Sequence, residues 1–230
     1  MLPSRDDRGL RQAIVAACRE MTAVGLTQGT SGNIGVRVEG GLLLTPSGLA
    51  YDTMGADDIV FMDWDGGWTA REGNVPSSEW RFHLDILKAK PEAGAVVHAH
   101  PPYCTILAIM QRSIPAIHYM IAVAGGDDIR CAPYAPYGTP ELSRLALKAL
   151  AERDACLLAH HGMIATGASL RKAMWLAVEV EALARQYHGC LQIGTPPLLP
   201  DAEIDAILKR LGQYGLRDRA RRAATGDGGA

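Results

Sequence analysis

The chain reads AGAVVHAHPP over residues 93–102, an apolar and partly β-branched run that closes on two histidines and two prolines. Such a run predicts a buried strand, which Pro101-Pro102 ends. Residues two apart in a strand project from the same face, so His98 and His100 can bind one metal ion from one rigid element. A pair of histidines hydrogen-bonded to neighbouring loops is the plainer interpretation, but two imidazoles at the end of an apolar strand are costly to bury without a purpose.

A second candidate strand, residues 155–159, also leads into histidines, His160 and His161. Adjacent residues in a strand face opposite ways, so only one of the two is expected to join the same site. The strand pattern leaves open which one. Three neutral imidazoles with an exchangeable fourth position are the pattern of a catalytic zinc site.

A carboxylate at a predicted helix start is the natural fourth ligand or base. Glu79 lies in the first turn of a helix that opens with Pro76-Ser77-Ser78, where the helix dipole and unpaired N–H groups favour negative charge. The same groups favour phosphate, and the Ser77 and Ser78 hydroxyls would add donors to an anion seat beside the metal. The plainer interpretation is that this segment only caps the helix.

Two turns supply further candidates for anion binding. Gly32-Asn33 and the segment 45–48, which contains Ser47 and Gly48, lie at ends of predicted strands. Small or polar residues there let backbone N–H groups approach an anion. Each segment is also an ordinary turn, because Gly, Ser and Asn are common in turns generally.

Helix and strand patterns alternate along the rest of the chain without a composition break or an internal repeat. One domain of mixed α/β layers is therefore expected. The predicted helices cover residues 6–25, a segment opening at 76–79, a segment opening at 139–141, residues 169–188 and residues 201–211, and the predicted strands cover residues 34–38, 42–45, 59–62, 93–100 and 155–159, with a polar loop at 63–73.

The composition is that of a globular chain with little net charge. Its 230 residues are 48% hydrophobic, enough for a sizeable core, and a net charge of −2 gives no bulk attraction to nucleic acid or anionic lipid. No apolar stretch approaches the roughly 20 residues that span a bilayer. The charged N-terminus has no apolar signal-peptide core and the five cysteines are widely spread, so we expect a cytoplasmic protein with reduced thiols.

The order and spacing of the motifs resemble the class II aldolase/adducin family. The resemblance extends from about Leu10 to Leu216 and implies one α/β/α domain at residues 1–216, with a central, mostly antiparallel sheet flanked by helices, and a flexible tail at 217–230. It is carried by QGTSGN at residues 28–33, TPSG at 45–48, PSSEWRFH at 76–83, VVHAH at 96–100, SIPAIHYMI at 113–121, HHG at 160–162 and QYGL at 213–216.

This resemblance also implies roles for the candidate site residues. His98, His100 and His161 would bind zinc, and Glu79 would complete the resting coordination sphere and then move away to act as a base. The residues implied to hold the substrate phosphate are Gly32, Asn33, Ser47, Gly48, Ser77 and Ser78.

Aromatic residues are implied at the other end of the substrate. Tyr119 and Tyr214 would reach the aldehyde end across a subunit boundary, because the family forms cyclic homotetramers. Tyr137 stands where the family has phenylalanine, so the wall of the aldehyde pocket is expected to differ there.

The activity implied is aldol cleavage of L-fuculose 1-phosphate to dihydroxyacetone phosphate and L-lactaldehyde. Breaking the C3–C4 bond leaves negative charge on C3 and the C2 carbonyl, which a Lewis-acid metal stabilises without a Schiff-base lysine. Lys148 and Lys172 lie on predicted amphipathic helices and are expected to be solvated, so neither is a candidate for Schiff-base chemistry.

Three alternatives remain beside this activity. Cleavage of 5-deoxyribulose 1-phosphate or 5-(methylthio)ribulose 1-phosphate would use the same zinc and phosphate residues, since these substrates share the dihydroxyacetone phosphate half. L-ribulose-5-phosphate 4-epimerase activity is disfavoured by the segment IHYM at residues 117–120. A non-catalytic adducin-like module is disfavoured because such modules lose metal ligands that this chain keeps.

Overall fold

Eight strands form a single sheet in the computed structural model, which describes Leu2 and residues 4–211 of the chain. The helices are α1 Arg8–Ala23, α2 Trp80–Ala89, α3 Pro102–Ile109, α4 Pro140–Ala149 and α5 Leu170–Ile193, with 3₁₀ turns at Ala56–Asp58 and Tyr119–Ala124 and a further helical segment at residues 201–211. The strands are β1 Asn33–Val38, β2 Gly41–Leu44, β3 Val60–Asp63, β4 Trp68–Thr69, β5 Ala95–Ala99, β6 Arg130–Ala132, β7 Ala155–Leu158 and β8 Gly162–Gly167.

The sheet runs in the order β4-β3-β2-β1-β5-β8-β7-β6. Every neighbouring pair is antiparallel except β6 with β7. The predicted hairpin at residues 34–45 is present as β1 and β2. The strand that carries the first two histidines, β5, lies at the centre of the sheet between β1 and β8.

Helices cover both faces of this sheet. Buried side chains of α1, α3 and α5 form one apolar core, and those of α2 and α4 form the other. The predicted α/β/α layered fold with a mostly antiparallel sheet is therefore confirmed.

Strand alternation along β5 assigns its side chains to these two cores. Val97 and its neighbours two residues away pack toward α1, α3 and α5, whereas Val96 packs toward α2 and α4. His98 shares the side of Val96, and its ring lies 5.2 Å from the ring of Phe82 on α2. The α2 layer therefore covers the first histidine of the site.

Side chains cap two of the helices, but the serine cap expected for α2 is absent. The Thr139 and Ser169 side chains accept hydrogen bonds from the first turns of α4 and α5. No side chain caps α2, which begins at Trp80 with Glu79 as its N-cap residue. The Ser77 hydroxyl instead accepts a hydrogen bond from the Glu79 N–H, because the chain enters the helix one residue later than predicted.

The structure also contains elements that the sequence pattern did not predict. Helix α3 begins at Pro102, because proline is compatible with the first helical position, and the Glu181 carboxylate accepts hydrogen bonds from the N–H groups of Tyr103 and Cys104. The short strand β4 lies within the predicted polar loop at 63–73, and β6 and the 3₁₀ turn at Tyr119–Ala124 were also missed.

All five cysteines are free thiols, in agreement with the expectation from their spacing. No helix in the described part of the chain has both the length and the apolar character needed to cross a membrane. The predicted tail at 217–230, and the domain boundary at 216, lie outside the described residues and stay predictions.

Candidate metal centre and substrate cleft

Three imidazoles and one carboxylate converge at one end of the sheet. His98, His100, His161 and Glu79 each offer a ligand atom, and the four atoms lie within 4.8 Å of one another. His98 Nε2 is 2.9 Å from His100 Nε2 and 3.1 Å from Glu79 Oε2. Tetrahedral zinc with bonds of about 2.0–2.1 Å separates its ligand atoms by about 3.3 Å, so this donor set fits a metal ion of that kind.

A hydrogen bond behind the cluster orients its most buried ring. His98 is fully buried, and its Nδ1 lies 2.9 Å from the Met163 carbonyl oxygen on β8. Nδ1 donates to this carbonyl, so Nε2 is the ring atom that faces the centre of the cluster. Glu79 Oε1 is buried and makes no hydrogen bond of good geometry with the described residues, although His161 Nε2 lies 3.1 Å from it. A cation at the centre of the cluster could be bound by both His98 Nε2 and Glu79 Oε1.

A tight turn, rather than strand alternation, separates the two adjacent histidines. Strand β7 ends at Leu158, and residues 159–161 form the turn into β8. His160 has a left-handed φ of 55°, and its Nε2 faces Gln111 at 3.3 Å. His161 Nε2 faces Glu79 Oε1 at 3.1 Å. The structure thus places His161 in the cluster and His160 outside it.

Gly162 lets the turn that carries His161 approach the end of the strand that carries His100. A Cβ atom on Gly162 would overlap the Ala99 carbonyl oxygen and would lie 2.6 Å from His100 Cδ2. No side chain fits there without moving the His100 ring. The absence of a side chain at Gly162 therefore allows His100 and His161 to lie close enough to share the cluster.

The cluster holds its carboxylate ionised. Burial alone would raise the pKa of Glu79, but the facing His98 and His161 imidazoles outweigh burial and hold that pKa far below its usual range. Burial, with the charges of His98 and His161, lowers the pKa of His100 to about 3. A negative carboxylate beside a neutral imidazole is the protonation state in which both bind a divalent metal.

A cleft of about 340 Å³ opens over the cluster. Glu79, His100 and His161 line it, and His98 lies beneath them. The six residues implied to hold phosphate all line the same cleft, namely Gly32, Asn33, Ser47, Gly48, Ser77 and Ser78.

An isolated β-bridge between Pro46 and Pro76 brings two of these segments together. The Ser47 N–H donates to the Val75 carbonyl at 2.9 Å, and the Ser77 N–H donates to the Thr45 carbonyl at 3.0 Å. The bridge therefore holds the segments of Ser47 and Ser77 against each other at the start of α2, where no side chain caps the helix. The arrangement can bind an anion next to the cluster.

Asn33 is joined to both the cluster and a residue that the sequence patterns did not single out. Its Nδ2 donates to Glu79 Oε2 at 3.0 Å, and its Oδ1 is 2.5 Å from His83 Nε2. His83 belongs to the segment PSSEWRFH and lies four residues after Glu79. This helical spacing is also that of any buried residue on the inner face of α2, so the sequence did not mark His83 as a site residue. The sequence carried no signal for this contact, because the close approach of His83 to Gly35 on β1 depends on how α2 packs against the sheet.

Aromatic and polar residues line the remaining wall of the cleft. Tyr134, Tyr137 and His160 contribute to it, and the rings of Tyr134 and His160 meet edge to face at 5.9 Å. Of these, the sequence indicates only Tyr137 as a wall residue. The sequence patterns also missed Thr30, Ser31 and Ala135, which line the cleft as well. Loop residues of this kind carry no periodic signal.

The two tyrosines implied at the aldehyde end are not part of the cleft as described. Tyr119 is 54% exposed, stacks on His118 and does not line the cleft of its own chain. Tyr214 lies outside the described residues. Lys148 and Lys172 are exposed, as expected, and neither lines the cleft.

Comparison with known proteins agrees with this geometry. The family model described as Class II Aldolase and Adducin N-terminal domain matches residues 12–188. A Rhodospirillum rubrum protein named 5-methylthioribulose-1-phosphate/5-deoxyribulose-1-phosphate aldolase is 55% identical over 206 residues, covering 90% of this chain and 92% of that protein. An Escherichia coli K12 protein named L-fuculose phosphate aldolase is 51% identical over 209 residues, covering 90% of this chain and 96% of that protein.

A solved structure named L-fuculose 1-phosphate aldolase superposes with a TM-score of 0.86 at 38% identity. The match covers 92% of this chain and 98% of the solved one. The similarity therefore extends over nearly all of both chains.

Proposed function

Because the chain belongs to the class II aldolase and adducin family and is a metal-dependent aldolase, we propose that it cleaves L-fuculose 1-phosphate to dihydroxyacetone phosphate and L-lactaldehyde. The observation that carries this proposal is the cluster of three imidazoles and a buried carboxylate beside a cleft lined by serine hydroxyls and a helix start. The relative named L-fuculose phosphate aldolase, 51% identical, supports the choice of sugar.

Zinc is the proposed metal, held by His98, His100, His161 and the resting Glu79. Three nitrogen donors and one oxygen donor within 4.8 Å of one another support zinc over magnesium or calcium, which prefer oxygen ligands. When bound, zinc supplies a Lewis acid for the charge that develops on the C2 and C3 oxygens.

The chain's own residues would bind the phosphate and move the protons. Gly32, Asn33, Ser47, Gly48, Ser77 and Ser78 line the cleft where the C1 phosphate is proposed to bind and would fix the register of the substrate against the metal. A tyrosine hydroxyl at the C4 oxygen would relay the C4 hydroxyl proton to solvent as the C3–C4 bond breaks and C4 becomes the aldehyde carbon. Glu79, displaced from the metal, would take up a proton from solvent and deliver it to C3 to give dihydroxyacetone phosphate, so that one proton leaves and one is returned.

The aldehyde end is proposed to be completed by a second copy of the chain. Tyr119 is exposed on its own subunit, and Tyr214 is proposed to act with it on the C4 oxygen from the neighbouring subunit of a homotetramer. The residues proposed to bind the phosphate and the metal all belong to one chain, so only the aldehyde end would depend on assembly. We also infer a cytoplasmic location, which the five free thiols support.

Cleavage of 5-deoxyribulose 1-phosphate or 5-(methylthio)ribulose 1-phosphate is the second candidate. The relative named for those two substrates is 55% identical, and Tyr137, which lines the cleft, departs from the phenylalanine that the family resemblance implies at this position. Both candidates share the dihydroxyacetone phosphate half, so they would differ only in contacts to the departing aldehyde.

A substrate panel tests the proposal directly. Purified, zinc-loaded protein is given L-fuculose 1-phosphate, 5-deoxyribulose 1-phosphate, 5-(methylthio)ribulose 1-phosphate and L-ribulose 5-phosphate, and release of dihydroxyacetone phosphate is followed. We expect the highest kcat/KM with L-fuculose 1-phosphate, no inactivation by borohydride, and loss of activity on chelation. A higher kcat/KM with 5-deoxyribulose 1-phosphate or 5-(methylthio)ribulose 1-phosphate would select the second candidate. Epimerisation of L-ribulose 5-phosphate would indicate the epimerase. No turnover of any of the four substrates would contradict the proposed activity and favour the non-catalytic adducin-like module.

A further inference from the structure

A hydrogen-bonded chain leads from the metal cluster to a histidine that makes no contact with the cleft. Glu79 Oε2 accepts from Asn33 Nδ2 at 3.0 Å, and Asn33 Oδ1 lies 2.5 Å from His83 Nε2. His83 is fully buried on α2, one turn after Glu79, and does not line the cleft. Among the described residues, Asn33 is the hydrogen-bond partner that connects the His83 side chain to the cleft.

The charge on Glu79 decides which way the Asn33 amide must face. An ionised carboxylate only accepts hydrogen bonds, so the amide NH₂ must point to Glu79 and the amide oxygen must point to His83. The amide nitrogen has two protons. One is used on Glu79, and the other remains for an acceptor in the cleft that Asn33 lines.

The surroundings of His83 fix the proton on its Nε2. Its Nδ1 is buried without a hydrogen-bond partner among the described residues, and a Cβ on Gly35 would lie 2.7 Å from that nitrogen. A donor at Nδ1 would be left unsatisfied, whereas a donor at Nε2 meets the Asn33 oxygen. Burial, with the charge of His98, lowers the pKa of His83 to about 3, so the ring is neutral and carries one proton.

We propose that His83 is a positioning residue whose Nε2–H holds the Asn33 oxygen, and thereby turns both Asn33 amide protons toward anions, the Glu79 carboxylate and the substrate phosphate. This inference rests on the proposed function for the phosphate. Without the His83 donor the amide can rotate, which presents its oxygen to two negative groups. A group that orients a ligand or base in this way is worth about 10- to 100-fold in activity.

A double-mutant cycle separates this role from general support of the fold. The variants are His83→Phe, which removes the donor and keeps a planar ring, Asn33→Ala, and both together. The rate of proton–deuterium exchange at C3 of dihydroxyacetone phosphate is measured in zinc-loaded protein. We expect His83→Phe to lose about 10- to 100-fold alone and little further in the Asn33→Ala background, because the two residues act as one unit.

The conservative variant His83→Gln supplies the rescue control. A glutamine amide NH₂ can take the place of the imidazole Nε2–H, so this variant should recover most of the exchange rate that His83→Phe loses. Zinc content and thermal unfolding are measured for every variant. Equal losses from His83→Phe in both backgrounds, or failure of glutamine to rescue at full zinc loading, would overturn the inference.

A readout that needs no substrate keeps this inference distinct from the proposed function. ¹⁵N chemical shifts of the imidazole in the intact protein at pH 7 should show a neutral His83 with its proton on Nε2. A proton on Nδ1 would overturn the inference whatever the enzyme acts on. A wild-type protein that shows the Nε2–H tautomer but exchanges no proton of dihydroxyacetone phosphate would instead count against the proposed function.

Discussion

Asn33 and His98 are register partners on the adjacent strands β1 and β5. The first residue of one strand thus carries a candidate phosphate ligand, and the residue opposite it carries a candidate metal ligand. Because strand pairing fixes their separation, the phosphate and the metal would be held at a constant distance by backbone hydrogen bonds. That constancy is what a cleavage between C3 and C4 requires of a substrate anchored at C1.

The two adjacent histidines should differ completely in their effect on metal content. His161→Ala removes a ring that faces Glu79 at 3.1 Å and should abolish stoichiometric zinc binding. His160→Ala changes a ring on the cleft wall and should leave one zinc per chain. Metal analysis of the two purified variants is the measurement, and zinc retained in the first but lost in the second would reverse the assignment.

The phosphate seat should be separable from the metal cluster. Ser77→Ala removes a hydroxyl that lines the cleft, and losing one charge-assisted hydrogen bond should weaken binding of inorganic phosphate or substrate by roughly 10- to 100-fold. Zinc should stay bound on three imidazoles.

Ser113→Ala is the matched control for that measurement, because its hydroxyl accepts from the Cys131 N–H away from the cleft. Isothermal titration of both variants with dihydroxyacetone phosphate gives the comparison. Equal affinities for the two would show that no phosphate binds at Ser77.

Gly162 should be intolerant of even a methyl group. In Gly162→Ala the new Cβ would lie 2.6 Å from His100 Cδ2, so the ring must move and zinc affinity should fall. Gly189→Ala on α5 is the control, since nothing lies within 4 Å of its Cβ and alanine favours a helix by about 1 kcal/mol. Wild-type zinc affinity in Gly162→Ala, measured by competition with a chelator, would contradict the proposed role of this contact.

Stability should depend on acid pH through His83. Its pKa is lowered from 6.5 to about 3 in the folded chain, so between these values the unfolded chain binds the extra proton and the folded chain does not. The free energy of unfolding therefore falls as pH falls through this window, by up to about 1.4 kcal/mol per pH unit.

Replacing the titrating ring should remove that contribution. Urea unfolding of wild type and His83→Phe at several pH values between 4 and 6 should give a shallower dependence of the unfolding free energy on pH for the variant. His100, whose pKa is lowered similarly, remains in both proteins and cancels in the comparison. Parallel curves would show that His83 is already charged in the folded protein.

Strand alternation was enough to predict the cluster's first two histidines, but not the arrangement of the third. His98 and His100 project from the end of β5, whereas His161 is presented by a turn in which His160 takes a left-handed φ. Histidine is one of the non-glycine residues enriched in that conformation, but it adopts it too rarely for the sequence to indicate the turn. The family resemblance, rather than the strand pattern, selected His161.

The role of Asn33 shows what only tertiary structure could reveal. The turn at Gly32-Asn33 predicted that Asn33 binds an anion. The hydrogen bonds from Asn33 to Glu79 and His83, however, depend on how β1 packs beneath α2. The close approach of those elements requires Gly35, which in the sequence is one glycine among 25. Local patterns therefore identified the α/β layers and the candidate ligands, and packing determined which of them touch.

Glu79 is proposed to have two roles, as a zinc ligand and as the proton-transfer base, and one variant tests this central claim most directly. Glu79→Gln removes the charge and basicity and keeps much of the shape, so the protein should fold and retain zinc on His98, His100 and His161. Exchange of the C3 proton of dihydroxyacetone phosphate with solvent deuterium isolates the base from aldehyde chemistry. We predict that exchange falls by about 10²- to 10⁴-fold at full zinc loading. Exchange at the wild-type rate with zinc fully bound would contradict the second role and would require another group to be the base.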